Sequence, residues 1–140
     1  MSFTGNFSCN TLRAGLMNGT INFSSSTFYL ALYTNSATLD QTTTAYTATG
    51  EASGGNYGAG GEVVTATVSS ETTSSGSISY VTFSSPAWTG AITARGALIY
   101  TSGANGAVCV LDFGNDKTST STFTVTMPAN TSSSAIIRIS

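Results

Sequence analysis

Thr27-Phe-Tyr-Leu-Ala-Leu-Tyr-Thr34 decides the fold. Phe28, Leu30 and Leu32 alternate with Tyr29, Ala31 and Tyr33, and in an extended chain successive side chains point to opposite faces. Both faces of this segment are therefore apolar, the pattern of a central strand covered on both sides. Outward from it the period of two recurs. Residues 62–70 set Val64, Ala66 and Val68 against Val63, Thr65, Thr67 and Ser69, which predicts a half-buried strand. Residues 77–84 set Ile78, Tyr80 and Thr82 against Ser79, Val81 and Phe83, and the polar run 71–76 between the two reads as a hairpin turn. Further strands are expected over 92–100, after a Trp88-Thr-Gly turn, and over 107–113, 122–127 and 134–139, with 114–119 as a polar loop.

Only near the N-terminus does a helical period show. Ser8 is placed to cap a turn or two through Cys9 to Met17 with Leu12 and Leu16 on one face, and Asn18-Gly19 ends it. Together these elements predict an all-β chain, an antiparallel β-sandwich or jelly-roll-like domain with a short N-terminal helix. At 140 residues a single domain over 1–140 is expected, with 1–26 as the helix-bearing segment and 27–140 as the sandwich. The stretch from Asn35 to Gly61 is too long for an ordinary connection, and loops of that size are usually functional or docked.

Composition narrows the chemistry. About a third of the chain is Ser or Thr, 7% is charged, and His is absent. Without His there is no side chain that ordinarily titrates near neutrality and no Ser-His-Asp or Cys-His arrangement. A Ser-Lys pair would need Lys117, which sits in a polar run as a solvated charge. Glu51, Glu62, Asp112 and Asp116 have the residue type for two-carboxylate chemistry but no telling spacing. The chain is expected not to be an enzyme and to need no cofactor.

The four cations, Arg13, Arg95, Lys117 and Arg138, are scattered, and the formal net charge is −2. Nucleic acid is therefore not an expected partner, because phosphate recognition needs clustered cations. No apolar run reaches the length of a membrane span, and the N-terminal residues lack the pattern of a signal peptide, so synthesis in a cytoplasm is expected. Cys9 and Cys109 show no metal-site spacing and read as buried free thiols, the alternative being a disulfide between them. Asp112, Asn115 and Asp116 could supply oxygen ligands to Ca²⁺, but an Asx turn is the expected role and no metal site is assigned.

The long connection contains Tyr46-Thr-Ala-Thr-Gly-Glu51-Ala-Ser-Gly-Gly-Asn-Tyr57-Gly-Ala-Gly-Gly61, whose six glycines permit close backbone approach but match no phosphate-binding pattern. A folded loop pinned by Tyr46 and Tyr57 is expected. Taken with Leu30-Ala-Leu-Tyr33-Thr, the stretch from Trp88 to Ile99-Tyr100, and Leu111-Asp-Phe-Gly114, this segment resembles small virion structural proteins of tailed bacteriophages. The resemblance covers about residues 28–127 and implies a capsid decoration or cement protein in the virion, with the major capsid protein and copies of itself as partners. It brings no catalytic residues. Contact surfaces are expected at Phe3, Phe7 and Phe23 around the helix and at the 35–61 loop with Tyr46 and Tyr57; Trp88 is a further interface candidate, expected to pack in the core or at a subunit interface. A tail or fibre component is one alternative. A carbohydrate-binding β-sandwich module is the other, and it would present Trp88 and its aromatic neighbours to a glycan.

Overall fold

The computed structural model describes residues 3–139; Met1, Ser2 and Ser140, the ends of the expected domain, lie outside the described residues. In chain order the elements are β1 (Phe7–Ser8), α1 (Asn10–Asn18), β2 (Phe28–Tyr33), β3 (Glu62–Val64), β4 (Ala66–Thr73), β5 (Gly76–Phe83), β6 (Ala87–Thr89), β7 (Thr93–Thr101), β8 (Ala107–Thr118), β9 (Thr122–Thr124) and β10 (Ile137–Ile139). The fold is all-β, antiparallel and sandwich-like, with one short N-terminal helix. A five-stranded sheet, ordered β1-β8-β7-β2-β3, packs against a three-stranded sheet, β10-β5-β4, and the β6-β9 ribbon.

The alternation in β2 carries through. Phe28, Leu30 and Leu32 enter the core facing the small sheets, with Val81, Phe83, Trp88, Phe123 and Ile137. Ala31 and Tyr33 enter a second core on the opposite face, with Phe3, Cys9, Leu39, Leu98 and Val110. The central sheet is thus covered on both faces, and the N-terminal segment and the long loop form the second cover.

Several expectations are corrected. The strand read over 62–70 is two strands: β3 pairs with β2, and after Thr65 the chain leaves that sheet so that β4 pairs with β5. Val68, expected on a buried face, is 53% exposed because β4 overhangs the core. The polar loop expected at 114–119 is largely strand. β8 runs through to Thr118, and Ala94 pairs with Lys117 beyond a register shift at Ala94/Gly96. Polar side chains there signal solvent on an overhanging strand rather than a turn. Trp88 lies in strand β6, not a turn. The 122–127 and 134–139 strands shorten to β9 and β10. Cys9, not Ser8, is the N-cap of α1 and makes no side-chain cap bond, whereas Gly19 ends the helix in the left-handed conformation at φ 81°, as expected.

Candidate functional site

The site centres on Glu51 and is built by β2. Beyond its pairing with β3, the end of β2 continues into the loop's return. Thr34 N–H donates to Gly50 O at 2.8 Å, Ala52 N–H to Leu32 O at 2.9 Å, and Tyr33 bridges Glu51. The glycine-rich stretch 53–61 is therefore an excursion between two segments laid along the same strand edge.

The Glu51 carboxylate holds that excursion down. Tyr46 Oη donates to Oε1 at 2.6 Å, and Oε2 accepts from Tyr57 Oη at 2.6 Å and from Gly60 N–H at 2.7 Å. Tyr57 Oη in turn accepts from the buried Leu32 N–H at 2.9 Å, so one phenol links the loop carboxylate to the central strand. Tyr100 Oη donates to Gly60 O at 2.7 Å, and the Tyr100 ring is stacked between Tyr46 and Tyr29, with centroids 5.0 and 5.4 Å away. Gly61 (φ +79°) lies flat on the Leu30 carbonyl, where a Cβ would overlap the oxygen.

The loop also reaches the other half of the sandwich. Asn56 N–H donates to Thr89 O and Asn56 Oδ1 accepts from Thr89 N–H, each at 2.8 Å, while Tyr57 packs 5.3 Å from Trp88. Glu51 thus serves as a clasp between β2 and β6 by way of the loop. Burial, then the bond to Glu51, pushes the Tyr46 phenol up to about 12; burial, then the Glu51 charge, does the same for Tyr100. Burial also raises Tyr57 and Tyr33. The four phenols stay neutral donors through the physiological range. This arrangement can hold a loop; it offers no activated nucleophile.

A second polar centre lies where β7 meets β8. Arg95, 8% exposed, pairs with Asp112, and its guanidinium lies 5.7 Å from the centroid of the Phe3 ring. Asp112 N–H donates to Asn6 Oδ1 at 2.6 Å and Asp112 Oδ1 accepts from Gly114 N–H at 2.8 Å. This network fastens the N-terminal segment to the sheet and commits Asp112, which leaves Asn115 and Asp116 on the exposed end of β8. Among the described residues no cluster of three His, Cys, Asp or Glu is arranged to hold a metal ion. Arg95 was absent from the sequence-based candidates; its signal was a single cation inside the apolar run 94–100.

The expected contact residues separate by burial. Phe3 and Trp88 are 1% and 2% exposed, so neither ring is open to a partner of the folded chain, and Trp88 is closed to a glycan. Phe23 is half-buried against Phe28 and Phe83, at 5.4 and 6.1 Å. Phe7, Tyr46 and Tyr57 are half-buried and packed against the two cores. Among the described residues the exposed large apolar side chains are instead Met17, Val63, Val68 and Ile139, none of which was singled out as a contact residue. Met17 and Ile139 flank an apolar groove of about 410 Å³ between α1 and β10, which Leu16 and Ile137 line and Arg13 borders. Cys9 and Cys109 are free and buried; burial pushes Cys9 up to about 11 and raises Cys109 further. Comparison with known proteins finds no matching family, no matching curated protein and no matching solved structure.

Proposed function

We propose that the chain is a non-enzymatic structural protein of a tailed-phage particle, seated on the major capsid protein as a decoration or cement component. The observation that carries this reading is that segments behind the resemblance form one physical unit. Leu32 bonds to Tyr57, Tyr57 to Glu51 and Glu51 to Gly60 in one chain, and Tyr100 closes the unit through Gly60. Glu51 is spent on loop placement, and the tyrosines bonded to it, Tyr46 and Tyr57, are raised and stay neutral donors. Binding would rest on apolar contact and on hydroxyl and backbone hydrogen bonds, because charge is scarce.

Mass spectrometry of purified particles tests the reading. The chain is expected in every preparation, at a copy number of the same order as the major capsid protein. A copy number matching the few subunits of a tail would move it to the tail or fibre. Absence from purified particles would overturn the proposal.

A further inference from the structure

The edges of the sheets are unequal. Among the described strands, β1, β3, β6, β9 and β10 are two or three residues long, whereas β4 presents eight residues at the outer edge of its sheet. An open edge is a template for another strand, and folded proteins blunt it with short length, Lys, Pro or a bulge. Ala66-Thr-Val-Ser-Ser-Glu-Thr-Thr73 has no Lys or Pro, and its pairing with β5 runs without a register shift. All of it is exposed except Ala66 and Ser69, which are half-buried.

The outward-facing backbone groups follow from the ladder. Ser84 N–H donates to Thr65 O, which places Thr65 in a bonded pair with the β5 side. Bonded and non-bonded pairs alternate in an antiparallel ladder. Thr67, Ser69, Glu71 and Thr73 therefore bond inward, and the N–H and C=O groups of Ala66, Val68, Ser70 and Thr72 point away from the sheet. Among the described residues, no backbone group of these four bonds to another backbone outside the ladder.

Val68 identifies what covers this edge. In the register of the small sheet, Ile137 stands opposite Val81 and Val81 opposite Val68. This cross-strand apolar row is buried at Ile137 and Val81 and ends at Val68, which is 53% exposed. A second β4 laid antiparallel about a two-fold axis through Val68 continues the row without a break, Val68 facing its own copy. The same register sets Ala66 opposite Ser70 and the strand's one charge, Glu71, opposite Thr65, so no like charges meet. We propose that the chain pairs with a second copy through β4, joining two three-stranded sheets into one continuous sheet with Val68 on the axis. This pairing is independent of where the protein resides: a chain that is monomeric yet present in particles would overturn the pairing and leave the particle reading standing.

Sedimentation of the full chain across micromolar to near-millimolar concentration is the test. The wild type is expected at twice its 14.2 kDa mass. Val68→Lys, a change at an exposed position, is expected to keep the wild-type circular dichroism and to weaken association roughly a hundredfold, since both copies lose an apolar contact and gain a facing like charge. Val68→Cys should form a disulfide-linked dimer on mild oxidation, because directly paired positions lie within disulfide reach. Ser75→Cys, at the hairpin tip, should not. A wild type that stays monomeric overturns the proposal, as does a dimer untouched by Val68→Lys or cross-linking as fast at Ser75 as at Val68.

Discussion

Replacing Glu51 with Ala removes the acceptor of three hydrogen bonds at once, those from Tyr46, Tyr57 and Gly60. A hydrogen bond to a charged partner contributes about 1.5–3 kcal/mol, and more is lost when a buried donor is stranded. Glu51 is only half-buried and water can enter the gap, so the low end applies and the three losses overlap. The expected cost of Glu51→Ala is about 3 kcal/mol, which at this chain length lowers Tm by roughly 10 °C. Glu51→Gln keeps one carbonyl acceptor and loses the charge; its expected cost is about 1–2 kcal/mol. Tyr57→Phe leaves the Leu32 N–H unpaired in the core and should cost about 2 kcal/mol. Because Tyr57 is bonded to Glu51, the double variant should cost less than the sum of the two. Thermal unfolding followed by circular dichroism gives the stabilities, and hydrogen exchange gives the location. The amides of Leu32 and Gly60 should exchange faster in Glu51→Ala while those of β7 and β8 keep their protection relative to global stability. An unchanged Tm, or equal loss of protection in β7 and β8, would refute the clasp.

Asp112→Ala strands the buried Arg95 charge and should cost about 3 kcal/mol in denaturant unfolding, whereas Arg95→Met with Asp112→Leu should recover most of that loss. Gly61→Ala forces a Cβ into the Leu30 carbonyl at positive φ and should lower Tm severely, while Gly58→Ala, with open space around it, should shift Tm by less than about 2 °C. Tyr46 and Tyr100 are raised in the folded chain to about 12 from an ordinary value of 10. Their contribution to stability is therefore complete below pH 10 and is lost as pH rises from 10 through 12, because the unfolded phenols ionise first. A Tm that stays flat up to that window and then falls, with tyrosinate absorbance rising together with unfolding, is the expected record. Gradual ionisation in the folded state would contradict it.

Legibility in the sequence followed the strength of the local signal. Residues 27–34 form an apolar run that is short for a helix and rich in aromatics, so β2 and its double cover were readable. Asn18-Gly19 was readable as a helix stop because the left-handed conformation costs glycine little. Polar strands were not. Residues 114–118 read as a loop because their side chains face water, although their backbone pairs with β7. Val68 read as core because alternation tells which face a side chain shares and not whether anything covers that face.

By itself, the sequence determined the fold class, the helix stop, the lack of His-based chemistry and the idea that Tyr46 and Tyr57 pin the long loop. Tertiary structure alone decided what the tyrosines hold. Glu51 meets Tyr57 and Gly60, and Tyr57 meets Leu32, only because the loop returns along the edge of β2, and Arg95 meets Asp112 only across β7 and β8. It also moved Phe3 from expected contact surface to core, placed Trp88 in the core rather than at an interface, and left Val68 at an open edge. The physical reason is range: side-chain periodicity is a local property of a few neighbouring residues, whereas burial and hydrogen-bond partnership are set by segments far apart in the chain.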